Sequence, residues 1–148
     1  GRQQILLNLR RARALGHEFG GTALGVVVHE IGHAVGLLHE HLRSDRDDYV
    51  TVAWDNVEPQ RTCGFCARVQ DAGCDECNLK LGRPVGPYDY DSVMHYFPTQ
   101  GAIDPARPTL VPLCAGSPDR QPAARGFGRC DGLSQGDIDT IAAVYGAG

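Results

Sequence analysis

Apolar positions along the chain fall into a few short runs separated by long polar, glycine- and proline-rich stretches. The first run, RQQILLNL at residues 2–9, has an apolar centre that reads as a strand, and a helix fits its pattern nearly as well. Gly16, Gly20, Gly21 and Gly25 then make a loose connection around His17, which reads as structural or exposed. From about Thr22 to Val35 the positions Val26, Val27, Ile31, Ala34 and Val35 predict a buried helix. Most of these are β-branched and add little helix propensity, so the spacing of histidine and glutamate carries the assignment. Residues 49–54, YVTVAW, alternate as a short strand. Residues 59–90 and 98–130 read as loops. At the end, Ser134 is a good N-cap with Asp137 three residues on, an approximate capping box. Ile138, Ile141, Ala142 and Tyr145 share one face of the helix that follows, and Gly146 stops it. No internal repeat or domain-scale linker interrupts residues 1–148, which read as one domain.

The predicted helix carries the chemistry. In HEIGHAVGLLHEH, residues 29–41, His29 and His33 are four apart and project from one helical face, where two imidazoles can hold one zinc ion. Glu30 follows the first ligand and is placed to reach a water beside the metal without binding the metal itself. A catalytic zinc takes three protein ligands and keeps one open position. His39 is the third candidate, but ten residues of helix turn through roughly 1000°, which puts it on a different face from His29. The chain must therefore leave the helix and turn back, and Gly36 stands where a left-handed residue is needed. His41 has no place in this geometry and reads as a surface residue.

Composition narrows the setting. A net charge of -4 and a pI near 5.8 give no basic surface for nucleic acid. The short cluster Arg10, Arg11 and Arg13 is read as a solvated face. No stretch reaches the roughly 20 apolar residues of a membrane span. The chain starts at Gly1 rather than Met, so an upstream segment is expected. Six cysteines, an even number, point to an oxidising compartment. Four of them lie in CGFCARVQDAGCDEC, residues 63–77. In a cytosolic protein Cys63, Cys66, Cys74 and Cys77 would read as a second zinc held by four thiolates, and in a secreted one as disulfides, the favoured reading. Cys114 and Cys130 are read as a pair across a proline-rich loop, with the overall connectivity left open.

HEIGHAVGLLH resembles the extended zinc motif of the metzincin proteases. Within that clan, HEHLRSDRDDYV (residues 39–50) and YDYDSVMHYFP (residues 88–98) resemble the astacin family. The resemblance implies an α+β, metzincin-type zinc protease fold. It has a central active-site helix, an edge strand and a loop-rich C-terminal half ending in a helix. It further implies a secreted, zinc-dependent endopeptidase that hydrolyses proteins or peptides. Zn2+ would sit on His29, His33 and His39, with Glu30 as general base. Tyr96 would be a catalytic group, a zinc ligand able to swing away and donate to the oxyanion. Met94 would be the hydrophobic floor of the site, and His95 structural. Residues 2–9 would be the edge strand that pairs with extended substrate. Glu40 would help anchor the amino terminus freed when a propeptide is removed.

The chain also departs from the family pattern. The strands and long helix that precede the edge strand are not in it, so it is expected to be N-terminally truncated, with an incomplete core around the active-site helix. The family's usual cysteines, before the zinc helix and after the last helix, are replaced by glycine near Gly21 and at Gly146. Two other classes compete with the endopeptidase reading. One is a protease-like module that only binds. The other is an HExxH aminopeptidase, whose third ligand is usually a glutamate from a separate helix; His39 at its fixed offset argues against it.

Overall fold

The computed structural model describes residues 10, 22–67, 71, 73–75, 77, 84–113, 127–128 and 132–146. The expectations for residues 2–9, His17, Cys114 and Cys130 lie outside them. Two α-helices and one small sheet frame the described part. Helix α1 spans Ala23–Ala34 and helix α2 spans Gln135–Tyr145. Strands β1, Val50–Val52, and β2, Leu110–Pro112, pair antiparallel with Thr51 opposite Val111. Short 3-10 turns at Glu40–Leu42, Arg46–Asp48, Trp54–Asn56 and Pro59–Phe65 carry the chain between them.

Helix α1 starts where the Thr22 hydroxyl accepts from the Gly25 amide at 3.0 Å, a side-chain N-cap. It ends in a Schellman turn. The Leu37 amide donates to Gly32 O and the Gly36 amide to His33 O, with Gly36 at φ +96°. The helix is less buried than its aliphatic residues suggest. Gly25 and Gly32 are its buried residues, and Ile31 is 42% exposed. Docking runs along the small-residue side instead. A Cβ added at Gly32 would lie 2.6 Å from Met94 Sδ, so the missing side chain is what admits the methionine.

The predicted strand at 49–54 is observed as β1. Its partner β2 falls inside a stretch read from sequence as loop. Leu110 is fully buried there, and Pro112 ends the strand. Around this ribbon Val50, Val52, Val57, Phe65, Tyr88, Tyr90, Leu110 and Phe127 form the core. The Tyr49 and Tyr88 rings stack at 4.4 Å, and the Tyr90 hydroxyl donates to Tyr49 O at 2.7 Å. Nested disulfides, Cys63–Cys77 and Cys66–Cys74, close the next loop, so the alternative of a four-thiolate zinc site does not describe this state.

Helix α2 has the predicted capping box at Ser134 and Asp137. Its apolar face is not packed as expected, with Ile138 46% and Tyr145 64% exposed. The helix docks through polar groups. Asp137 is buried, accepting from the Ser92 hydroxyl at 2.6 Å and the Val93 amide at 2.9 Å. At the far end the Tyr145 hydroxyl donates to Val35 O at 2.7 Å.

The left-handed turn yields a prediction. Gly36→Ala meets only Tyr145 Oη, 3.9 Å from the added carbon, so its cost is backbone strain. It should destabilise the fold by about 1–2 kcal/mol. An unchanged urea midpoint would show that the turn relaxes freely.

Candidate metal centre

Helix α1 delivers His29 and His33 to one face, and the Gly36 turn sends the chain back to place His39 beside them. His39 is extended (φ −60°, ψ 134°) and precedes the Glu40–Leu42 turn. The His39 Nε2 lies 3.1 Å from His33 Nε2 and 3.2 Å from His29 Nε2. The ring orientations are set from behind. His29 Nδ1–H donates to Val93 O at 2.7 Å and His33 Nδ1–H to Leu37 O at 3.0 Å. A carbonyl can only accept, so these two rings carry their protons on Nδ1 and present bare lone pairs at Nε2. His39 could donate to at most one of them.

This donor set fits a zinc ion. A tetrahedral site with zinc–nitrogen bonds of about 2.0–2.1 Å puts its nitrogens roughly 3.3–3.4 Å apart, close to the spacing seen. Burial lowers the pKa of His29 and brings that of His39 down to about 3, which keeps both neutral and able to ligate at neutral pH.

Glu30 follows His29 on α1 and is exposed. Met94 is buried against Gly32, its amide donating to the Ser92 hydroxyl at 3.0 Å and its carbonyl accepting from the Glu40 amide. The Tyr96 ring packs on His39 at 4.6 Å between centroids, so the structure brings it to the histidine cluster. His95 is buried, donating from Nδ1 to Tyr96 O and accepting at Nε2 from the Tyr88 hydroxyl. The Glu40 carboxylate accepts from the Asp89 amide and from Arg43, and lines a cavity of about 250 Å³ with Gly36, Met94, Asp137 and Tyr145.

Comparison with known proteins places this geometry. A model of the family described as Astacin (Peptidase family M12A) matches residues 10–146. The chain belongs to the astacin family. It is 38% identical over 126 residues to zinc metalloproteinase nas-9 of Caenorhabditis elegans, covering 84% of this chain and 21% of that one. It is 37% identical over 121 residues to the astacin-like metalloendopeptidase of Gallus gallus, covering 82% and 25%. Among solved structures it is similar to high choriolytic enzyme 1, a hatching enzyme zinc-protease of Oryzias latipes. That match has a TM-score of 0.63 and 32% identity, and covers 84% of this chain and 53% of that one. The chain thus spans about a quarter or less of these two curated relatives and about half of the solved one. The α+β, metzincin-type fold expected from the motifs is that of this astacin-family structure.

One expectation for this astacin chain is corrected. His41 is not a surface residue: it is fully buried, its Nε2–H donating to Gly64 O at 2.9 Å and its ring 4.0 Å from that of Tyr96. Its Nδ1 is the buried side-chain polar atom left without a partner among the described residues, a cost of about 1–3 kcal/mol. Sequence reading also missed Arg46. It is buried, donates to the carbonyls of His41 and Phe65, and pairs with Asp71 at 2.8 Å. The signal was a lone arginine between acidic residues in SDRDD, where a buried cation needs partners.

The buried histidines make a prediction for the metal-free protein. Burial lowers His39 to about 3 and His95 to about 4, and holds His41 well below the usual histidine range. Between those values and about 6.5 the unfolded chain binds more protons than the native one, so stability falls as the solution is acidified. Glu40, raised by burial to about 7, acts oppositely, favouring the fold below 4.5 and losing that contribution as pH rises through 7. With several histidines against one glutamate, stability should drop by at least about 1.4 kcal/mol per pH unit from pH 6 to pH 4. Melting temperatures across that window check it; a flat profile would contradict it.

Proposed function

We propose that the chain is the catalytic part of a secreted zinc endopeptidase that cleaves peptide bonds in proteins. The observation that carries this reading is the convergence of three Nε2 atoms, two of them stripped of protons by carbonyls behind them. Family membership and the nested disulfides support it, the latter favouring an oxidising compartment. Among the described residues no helix is long and apolar enough to cross a membrane.

In this reading His29, His33 and His39 hold zinc. When bound, the ion supplies a Lewis acid that acidifies water and polarises the scissile carbonyl. Glu30, one residue beyond His29 and solvent-exposed, takes the proton of the attacking water and returns it to the leaving amine. Tyr96 donates its hydroxyl proton as a hydrogen bond to the oxyanion. Its burial raises its pKa, which keeps the phenol protonated and able to donate. Glu40, half-buried and facing the cavity behind His39, anchors an amino terminus freed from a propeptide.

Cleavage of an unfolded protein substrate tests the reading. Glu30→Ala should lower kcat by about 10²–10⁴-fold while the protein keeps one zinc per chain. A chelator should abolish activity, and added zinc should restore it. Full activity in Glu30→Ala would reject the mechanism. Zinc binding without cleavage by the full-length protein would favour a binding module.

A further inference from the structure

We propose that His41 is a positioning residue that sets where the Tyr96 ring stands against the three-histidine centre. The inference rests on reading that centre as a peptidase site. His39, His41 and Tyr96 form a closed triangle of rings. Centroid distances are 5.4 Å for His39–His41, 4.0 Å for His41–Tyr96 and 4.6 Å for His39–Tyr96. His41 lies within 30° of parallel to both of its neighbours, so their faces pack on its face. The rotation of its ring is fixed by one in-plane bond, Nε2–H to Gly64 O at 2.9 Å.

The anchor of that bond is itself held. Gly64 follows Cys63, which is joined to Cys77, and Cys66 beyond it is joined to Cys74. Arg46 donates to the carbonyls of both His41 and Phe65, tying the two segments from a third side. The same short segment meets Tyr96 directly. A Cβ at Gly64 would lie 3.3 Å from the Tyr96 hydroxyl, and the Phe65 ring meets Tyr96 edge-on at 5.5 Å. One pinned stretch of backbone therefore fixes His41 and bounds the space around the Tyr96 hydroxyl. An imidazole meets both demands on position 41. Phenylalanine would stack without the tether, and glutamine would keep the tether without the stack.

The test is a double-mutant cycle on the zinc-loaded protein with His41→Phe, Tyr96→Phe and the pair. His41→Phe should lower kcat about tenfold with KM little changed and one zinc retained, and should cost under about twofold more in the Tyr96→Phe background. Additive losses would mean that His41 acts generally on the fold and would overturn the inference. If His41→Phe does not fold, His41→Gln replaces it in the cycle. A second readout is independent of turnover. With carbon-13-labelled tyrosine, the ring signal that disappears in Tyr96→Phe should be single in the parent and broadened or doubled in His41→Gln. An unchanged signal there would overturn the inference. Full activity in Glu30→Ala would overturn the peptidase reading alone, since the Tyr96 signal still decides whether His41 positions that ring.

Discussion

Three imidazole nitrogens, that of His39 lying 3.1 Å from His33 Nε2 and 3.2 Å from His29 Nε2, with at most one proton to share, are the demand around which the described structure is arranged. Lone pairs so close repel unless a cation lies among them, so the fold must hold them against that repulsion before any metal arrives. It does so with backbone carbonyls. Leu37 O holds His33, and Leu37 is also the residue whose amide closes the Schellman turn at Gly36. One turn therefore both orients His33 and returns the chain to place His39. Val93 O holds His29, and Val93 belongs to a different part of the sequence, so the centre forms only when the Met94 segment has docked beneath α1.

That docking is polar where a sequence reader expects it to be apolar. Asp137 caps α2 and also accepts from Ser92 and Val93, so one buried carboxylate links the last helix to the carbonyl that orients His29. Ser134 donates to Asp89, and the Glu40 amide donates to Met94 O, closing the same junction from two more sides. With these bonds made, α2 does not need its aliphatic face to attach to the described residues, and Ile138 and Val144 remain largely exposed.

What was legible in the sequence was what local geometry decides. The four-residue spacing of His29 and His33, the left-handed Gly36 and the Ser134 cap all follow from backbone rules acting within a few residues, and all three are observed. What was not legible depends on partners far along the chain. His41 is buried because Gly64, 23 residues on, offers a carbonyl, and Arg46 because Phe65 and Asp71 supply acceptors. Strand β2 was hidden because three residues ending in proline carry almost no periodic signal. His41 was read as exposed, Arg46 was passed over and the β2 stretch was read as loop, because each depends on distant partners that no spacing rule announces.

The histidine cluster and the Tyr96 wall beside it are held by different means. His29 and His33 are each fixed by a hydrogen bond to a backbone carbonyl, at Val93 and Leu37. Tyr96 is contained by ring faces and edges instead, and contacts of that kind restrict tilt more than rotation in the plane. A wall of stacked rings would drift with its loop in a region so short of regular structure. The nested disulfides remove that freedom, holding the segment that faces Tyr96 where only the short 3-10 turn Pro59–Phe65 would otherwise do so.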